Sequence, residues 1–198
     1  MTTFAYETLS RVQRYSGPIF TVYTDTVAMP GGRTAQRDVT ENKGAVGVVA
    51  LDDVGRVVLI KQYRHAIHTK LWELPAGLRD VDGEDMVLAA TRELAEETDL
   101  RAGRFDLLID LHTSPGFTNE VIRLFLARDL SPVPEDQRHE RTDEEADIEI
   151  AWFDLDEAVA MVLRGEITNA AAVGGLLAAA RARDDGWATL RPPDTPAV

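Results

Sequence analysis

The residues best suited to chemistry are three glutamates within one short segment, Glu93, Glu96 and Glu97. On a helical wheel at about 100° per residue, their carboxylates share one face, directly beside an apolar stripe that contains Leu94. Like charges at this spacing destabilise a helix by roughly 0.2–0.5 kcal/mol, and a neighbouring core raises that cost. A divalent cation would offset the repulsion, because Mg²⁺ is commonly held by one or two carboxylates plus substrate phosphates. The pattern therefore predicts a magnesium site, with a solvated acidic face as the alternative.

The residues around this cluster favour a site over a solvated face. A tight turn at residues 74–77 precedes the helix, and its glycine lets the chain approach the carboxylates closely. The backbone carbonyl of Ala76 is a candidate further ligand. Arg92 projects to another side of the helix, where we expect it to pair with Glu84 and hold the helix entry in place.

Composition excludes several classes of protein. The chain has 198 residues, 44% of them hydrophobic and 28% charged, which predicts one folded domain and not a disordered chain. It contains no cysteine, which excludes disulfides, thiolate nucleophiles and Cys-ligated metal sites and favours oxygen ligands and a cytoplasmic location. A formal net charge of −13 disfavours nucleic acid as a partner.

Membrane association and export are also not expected. The first ten residues have no basic region followed by an apolar one, as a signal peptide would. The longest weakly apolar stretch, residues 170–180, is far shorter than the roughly 20 residues needed to span a bilayer.

Hydrophobic periodicity predicts a mixed α+β fold. Residues 10–40 alternate apolar and polar positions, with breaks at 17–18 and 30–32, which indicates short antiparallel strands. We expect Asp154 to cap the second of three predicted helices and Gly165 to close it. Core strands are predicted at residues 45–51, 57–61, 107–111, 121–127 and 148–153, and helices at 84–98, 155–164 and 169–183.

The segment around the glutamates resembles the Nudix box. That motif has the form Gly, five residues, Glu, seven residues, Arg-Glu-apolar-any-Glu-Glu-any-Gly-apolar, and here it reads Gly77, Glu84 and then residues 92–100 (RELAEETDL). Two departures occur: one extra residue separates Gly77 from Glu84, and Asp99 stands where glycine is usual. We expect Asp99 to adopt a left-handed conformation, which aspartate tolerates better than most residues do.

Further segments are similar to the ADP-ribose pyrophosphatase branch of that superfamily. They are residues 62–64, 71–77, 114–120 and 164–169, and the resemblance covers about residues 37–169. It implies a Nudix-type α/β/α sandwich with a mixed core sheet, preceded by an N-terminal antiparallel β segment. The expected organisation is a β-rich segment at 1–42 that forms a homodimer, a Nudix domain at 43–183 and a flexible tail at 184–198.

The same resemblance implies a reaction and a set of metal ligands. The reaction is hydrolysis of the small nucleotide ADP-ribose to AMP and ribose 5-phosphate, with Mg²⁺ as the metal and Mn²⁺ as a possible substitute. The expected ligands are Glu93, Glu96, Glu97 and the carbonyl of Ala76. Arg92 and Glu96 are also assigned to the catalytic group.

In this branch the general base often lies in a loop before the last core strand. Residues 143–147 occupy that place here, with Glu144 as the first candidate and Glu145 as the second. A mobile acidic loop without a catalytic role is the alternative. His139 is a further conceivable base, although a histidine in a polar loop is more often only solvated.

Four other residues are expected to contact the substrate. Arg37 and Arg64 offer planar, bidentate donors for phosphate or ribose, or else form salt bridges at strand edges. Glu73 and Glu120 complete the set, and Glu120 could instead touch a dimer partner.

Two other functions remain open at this stage. The first is a pyrophosphatase for another nucleotide sugar, such as GDP-mannose, or for a dinucleotide. The second is a non-catalytic module that senses ADP-ribose, although such modules usually lose the box carboxylates, which are all present here. An acidic scaffold would be indifferent to magnesium.

Overall fold

The computed structural model describes residues 4–79 and 83–197, except for the side chains of Asp143 and Glu144. By contacts the chain forms two compact units. The first comprises the chain up to Gly44 together with His112–Val121, and the second comprises Ala45–Leu111 and the chain from Ile122 onward. The loop at 112–121 thus groups with the N-terminal strands, which the sequence did not predict.

The first unit is built on one antiparallel sheet. Its strands are β1 (Thr8–Ser16), β2 (Phe20–Met29) and β3 (Arg33–Asn42), in the order β1-β2-β3. The connections fall at the predicted breaks, and Gly31 and Gly32 have the positive φ angles that the second turn requires. The predicted antiparallel pattern is confirmed, with strands longer than expected.

The second unit contains a mixed sheet in the order β7-β4-β9-β8. Within it, β4 (Ala45–Ala50) runs parallel to β9 (Val121–Pro132) and antiparallel to β7 (Ala76–Leu78). The fourth strand is β8 (Leu100–His112). A second sheet, in the order β10-β5-β6, comprises β5 (Arg56–Arg64), β6 (Thr69–Glu73) and β10 (Glu149–Asp154), all antiparallel.

Three α-helices belong to this unit: α1 (Met86–Thr98), α2 (Leu155–Leu163) and α3 (Ala170–Asp184). The side chain of Asp85 caps α1 by accepting from the N–H of Val87, and that of Asn169 caps α3. Asp154 occupies the cap position of α2 as predicted, but its side chain accepts no capping hydrogen bond, so that part of the prediction is wrong. Within the described ranges, none of these helices is long and apolar enough to cross a membrane.

The alternating directions of the side chains along β4 explain why helices cover both faces of the sheet. Val46 and Val48 pack with α1 residues such as Leu94 in one buried cluster. Val49 faces the other way, into a cluster that contains Leu155 of α2 and Leu176 of α3. Because successive strand residues point to opposite faces, the sheets are covered by α1 on one side and by α2 and α3 on the other. The predicted α/β/α sandwich with a mixed core sheet is confirmed.

The C-terminal segment has defined partners. Leu107 and Arg191 exchange backbone hydrogen bonds of 2.8 and 3.1 Å. Arg123, which is buried and paired with Asp110, also donates to the carbonyl of Thr195 at 2.6 Å. The structure therefore fastens this segment to β8 and β9, and the flexibility predicted for residues 184–198 stays a prediction.

Candidate active site

Gly77 of β7 lies directly against the side chain of Glu93 of α1. A side chain at Gly77 would overlap the carboxylate of Glu93. Leu74, which is fully buried, anchors the turn before β7 in the core shared with α2 and α3. Glycine is therefore required at position 77 so that a helix carboxylate can lie against the strand.

Glu97 lies one turn further along α1 and is the most deeply buried carboxylate of the cluster, at 4% exposure. The backbone N–H of Ala76 donates to its Oε2 at 2.8 Å. Burial raises the pKa of Glu97 to about 8, and the nearby charges of Glu93 and Glu145 add to the rise. The Ala76 N–H and the positive charge of Arg64 act in the opposite direction.

Arg92 holds the rest of the cluster. It pairs with Glu84 at 3.3 Å, as predicted, and its Nη1 also donates to Glu93 at 2.7 Å and to Glu96 at 3.0 Å. Three carboxylates of the box, those of Glu84, Glu93 and Glu96, thus point at one positive charge. Within the described residues, no three histidine or acidic side chains converge in an arrangement that would hold a metal ion.

The donor set nevertheless fits a divalent cation. Glu93 and Glu97 bring hard oxygen atoms to the β7 turn, where burial raises the pKa of Glu97 and a divalent cation would favour its ionised form. The roles of Glu93, Glu96 and Glu97 as metal ligands stay predictions. The structure shows the N–H of Ala76 in use, while the role of its carbonyl as a ligand stays a prediction.

The loop before β10 comes close to this cluster. Residues Asp143–Asp147 form a 3-10 helix that packs against β5. Glu145 is near enough to raise the pKa of Glu97, and its Oε2 lies 3.8 Å from Nε2 of His139. The side chain of Glu144 lies outside the described part of the chain, so the choice between these two bases stays a prediction.

Arg64 is held in place by Glu73. The two side chains form a bidentate pair, with Nε–Oε1 and Nη2–Oε2 distances of 2.9 and 2.6 Å. Glu73 is buried, whereas the Arg64 side chain is 45% exposed. This geometry makes Glu73 the residue that orients Arg64, and direct substrate contact by either one stays a prediction.

Arg37 and Glu120 both belong to the first unit. Arg37 lies on β3 opposite Asp25 of β2, and its Nη1 donates to the carbonyl of Gln36 at 2.8 Å. Glu120 accepts hydrogen bonds from Asn42 at 3.2 Å and from Thr113 at 2.5 Å, which fixes its carboxylate within the 112–121 loop. Their contacts with substrate stay predictions.

Two residues that the sequence did not single out fasten the loop that carries Glu144 and Glu145. Nε of Arg141 donates to the carbonyl of Glu96 at 2.8 Å, and Nη2 lies 2.8 Å from Oδ2 of Asp99. At the other end, Lys70 lies 3.0 Å from carboxylate oxygens of Asp147 and Glu149. The unusual Asp99 of the box was the available signal for Arg141, whereas no signal pointed to Lys70.

Comparison with known proteins decides the family. The model of the NUDIX domain matches residues 41–173, more than half of the chain. The chain belongs to the NUDIX family. An ADP-ribose pyrophosphatase from Mycobacterium tuberculosis is 46% identical over 96% of this chain and 90% of its own length. One from Bacillus subtilis is 33% identical over 86% and 90%, respectively.

The fold comparison agrees with this assignment. A solved structure described as an ADP compounds hydrolase superposes with a TM-score of 0.80, covering 94% of this chain and 98% of its own, at 21% identity. At the departure from the usual Nudix box, Asp99 has a φ of 58°, so the expected left-handed conformation is confirmed. The recognised box thus occupies the β7–α1 segment described above.

The pKa of Glu97 predicts how the metal-free protein responds to pH. Its ordinary value of 4.5 rises to about 8 on folding, so the unfolded state loses this proton first. The extra stability that protonated Glu97 gives the folded state is fully present below the ordinary pKa of 4.5 and is lost as pH rises through about 8. In the presence of a chelator, we expect the melting temperature to fall by several degrees between pH 5.5 and 8.5, as measured by calorimetry.

Glu97→Gln is the matched control, because glutamine keeps the volume and stays neutral throughout this range. Its melting temperature should fall less over the same interval, and Mg²⁺ should restore the wild-type value at pH 8.5 but not that of the variant. Equal slopes for the two proteins would contradict the assigned pKa.

Proposed function

We propose that this protein is a Mg²⁺-dependent ADP-ribose pyrophosphatase that yields AMP and ribose 5-phosphate, with Mn²⁺ as a possible substitute for Mg²⁺. The observation that carries the proposal is the burial of Glu93 and Glu97 beside Gly77, in a chain that retains every carboxylate of the Nudix box. The substrate follows from the names of the relatives that match most of the chain. The missing cysteines agree with a cytoplasmic enzyme.

Charge explains why a metal is needed. The chain has a formal net charge of −13, and the carboxylates of Glu93, Glu96 and Glu97 would repel a diphosphate. Glu93, Glu96 and Glu97 would hold the divalent cation, which would supply positive charge to offset the diphosphate and would make a water molecule more acidic. The same net charge disfavours nucleic acid as a partner.

The chain's own groups then position the substrate and move one proton. Glu93, Glu96 and Glu97 hold the ion, while Arg64, fixed by Glu73, presents its exposed edge to a phosphate or the terminal ribose. Arg37 and Glu120 are further candidates for contact with the substrate.

A carboxylate on the loop before β10 takes a proton from the attacking water. We assign this role to Glu144, with Glu145 as the second candidate. Their loop is tied to α1 through Arg141 at one end and to β6 through Lys70 at the other. The water oxygen bonds to one phosphorus as the bridging P–O bond breaks, and the bridging oxygen leaves with the other phosphate. Orientation supplies most of the rate, since the protein forms no covalent bond to the substrate.

We further propose a homodimer that forms through the N-terminal strands. Every residue of β1 is exposed, and its apolar side chains Leu9, Val12 and Tyr15 are about half exposed. Phe20, at the start of β2, is 41% exposed. A monomer rarely leaves so many large apolar groups on one sheet in water.

The activity is tested with purified protein, Mg²⁺ and a panel of ADP-ribose, GDP-mannose, NADH and diadenosine polyphosphates. We expect ADP-ribose to be cleaved fastest, with AMP and ribose 5-phosphate detected by chromatography. Glu97→Gln should lose nearly all turnover, by at least about 100-fold, with the fold intact by circular dichroism. Glu157→Gln, an exposed glutamate on α2, is the matched control and should keep wild-type turnover.

Each other result of this assay has a definite meaning. Preferred cleavage of another nucleotide would identify that nucleotide as the substrate. Binding of ADP-ribose without cleavage would favour a sensing module, and indifference to Mg²⁺ would favour an acidic scaffold. Wild-type turnover in Glu97→Gln would refute its role as a ligand.

The base is assigned by comparing Glu144→Gln with Glu145→Gln. We expect Glu144→Gln to lower kcat by about 100- to 10,000-fold, with the KM for ADP-ribose changed little, because proton transfer is lost while binding is retained. Steady-state kinetics and calorimetric binding of the substrate measure both effects. A larger loss of kcat in Glu145→Gln would assign the general base to Glu145. Full activity in both variants would show that neither residue is the base.

The dimer is tested by light scattering during size-exclusion chromatography. We expect the wild-type protein to elute with the mass of two chains and the double variant Val12→Asp/Tyr15→Asp with the mass of one, because two charges on β1 oppose burial of that strand. Val54→Asp, in the exposed turn between β4 and β5, is the control and should stay dimeric. A monomeric wild-type protein would refute this proposal.

A further inference from the structure

Asp99, directly after α1, has a left-handed backbone conformation that is unfavourable for most residues. Asp99 follows the helix directly with a φ of 58°, at the box position where glycine is usual. A left-handed conformation costs an L-residue about 1–2 kcal/mol relative to the ordinary one. A glycine here would avoid that cost, so the contacts made by the aspartate side chain are of interest.

The carboxylate of Asp99 faces Arg141. Oδ2 of Asp99 and Nη2 of Arg141 are 2.8 Å apart, and both side chains are largely buried, at 24% and 21% exposure. The same guanidinium donates through Nε to the carbonyl of Glu96 at 2.8 Å. The contact with Asp99 is an ion pair without hydrogen-bond geometry, so the hydrogen bond to Glu96 fixes the guanidinium and the charge of Asp99 attracts it. Arginine also suits this place because its charge opposes the negative end of the helix dipole.

Arg141 belongs to the segment that carries the two candidate bases. That segment leaves β9 at Val133, whose N–H donates to the carbonyl of Asp99 at 2.8 Å. It runs past Arg141 into the 3-10 helix Asp143–Asp147, and Lys70 holds its far end. The backbone and the side chain of Asp99 therefore fix two separate points of the segment to the last turn of the metal-binding helix.

We propose that the Asp99–Arg141 pair is a latch that positions the base loop against α1, so that Glu144 and Glu145 lie at a fixed distance from Glu93 and Glu97. Arg141 and Asp99 are positioning residues, since neither is assigned a contact with substrate. The inference rests on the proposed hydrolysis for its effect on rate. Reacting groups displaced by about 1 Å lose roughly 100-fold in rate, so a loop held only by its other contacts gives a slower enzyme.

Removal of the latch is tested with Arg141→Gln, Asp99→Gly and the double variant. We expect Arg141→Gln to lower kcat for ADP-ribose by about 10- to 100-fold, and Asp99→Gly by about fivefold, because Arg141 then keeps its bond to Glu96. The KM and the Mg²⁺ concentration for half-maximal activity should change by less than about twofold. The double variant should be no slower than Arg141→Gln alone, since both changes remove the same ion pair between Asp99 and Arg141.

Asp99→Gly separates positioning from folding. Glycine relieves the left-handed strain, so its melting temperature should equal or exceed that of the wild-type protein while its kcat falls. Arg181→Gln, which removes an exposed arginine paired with Asp185 on α3, controls for the loss of one positive charge and should keep wild-type kinetics. Unchanged kcat in Arg141→Gln and Asp99→Gly would overturn the latch, as would losses of rate and of melting temperature that occur only together.

Hydrogen exchange keeps this test independent of the substrate. In Arg141→Gln, amides in residues 137–147 should exchange faster than in the wild-type protein, whereas those of α3 should not change. If the wild-type protein cleaves another nucleotide, the same variants are measured on that substrate. If it cleaves none, the proposed function fails, and unaltered exchange in the loop would overturn the latch on its own.

Discussion

The site depends on one close approach, that of the α1 carboxylates to the β7 turn. Glu93 lies against Gly77, and Glu97 accepts the N–H of Ala76 in a nearly closed environment. Packing of α1 on β4 through residues such as Leu94 brings these acids out of water. Packing thus places these acids where burial opposes their ionisation, as the raised pKa of Glu97 shows, and this is the physical reason for the cation in the proposed mechanism.

Arginines control how this charge is distributed. Arg92 binds Glu84, Glu93 and Glu96, so the helix entry and two box carboxylates are tied to one guanidinium. Arg64 is oriented by the buried Glu73, and its positive charge acts to lower the pKa of Glu97. In a chain with an excess of acidic residues, these two arginines offset part of the repulsion among neighbouring carboxylates.

The loop before β10 joins this arrangement through tertiary contacts. Glu145 acts electrostatically on Glu97, and the latch and Lys70 hold the loop at its two ends. Because the proposed chemistry is mainly positioning, the accuracy of these contacts matters more for rate than their contribution to stability.

The sequence by itself determined the mixed α and β character of the fold and the helix that carries the Nudix box. Apolar periodicity predicted the N-terminal strands, parts of β4, β5, β8, β9 and β10, and helices α1 to α3, and the spacing of Gly77, Glu84, Glu93 and Glu97 identified the box, because these signals are local. The short strands β6 and β7 were not predicted, because they are defined by their pairing with β5 and β4. The tertiary structure decided what local signals cannot encode. Burial raised the pKa of Glu97, Glu73 became the partner of Arg64, and Arg141 met Asp99, since each depends on segments that are distant in sequence and adjacent only after packing.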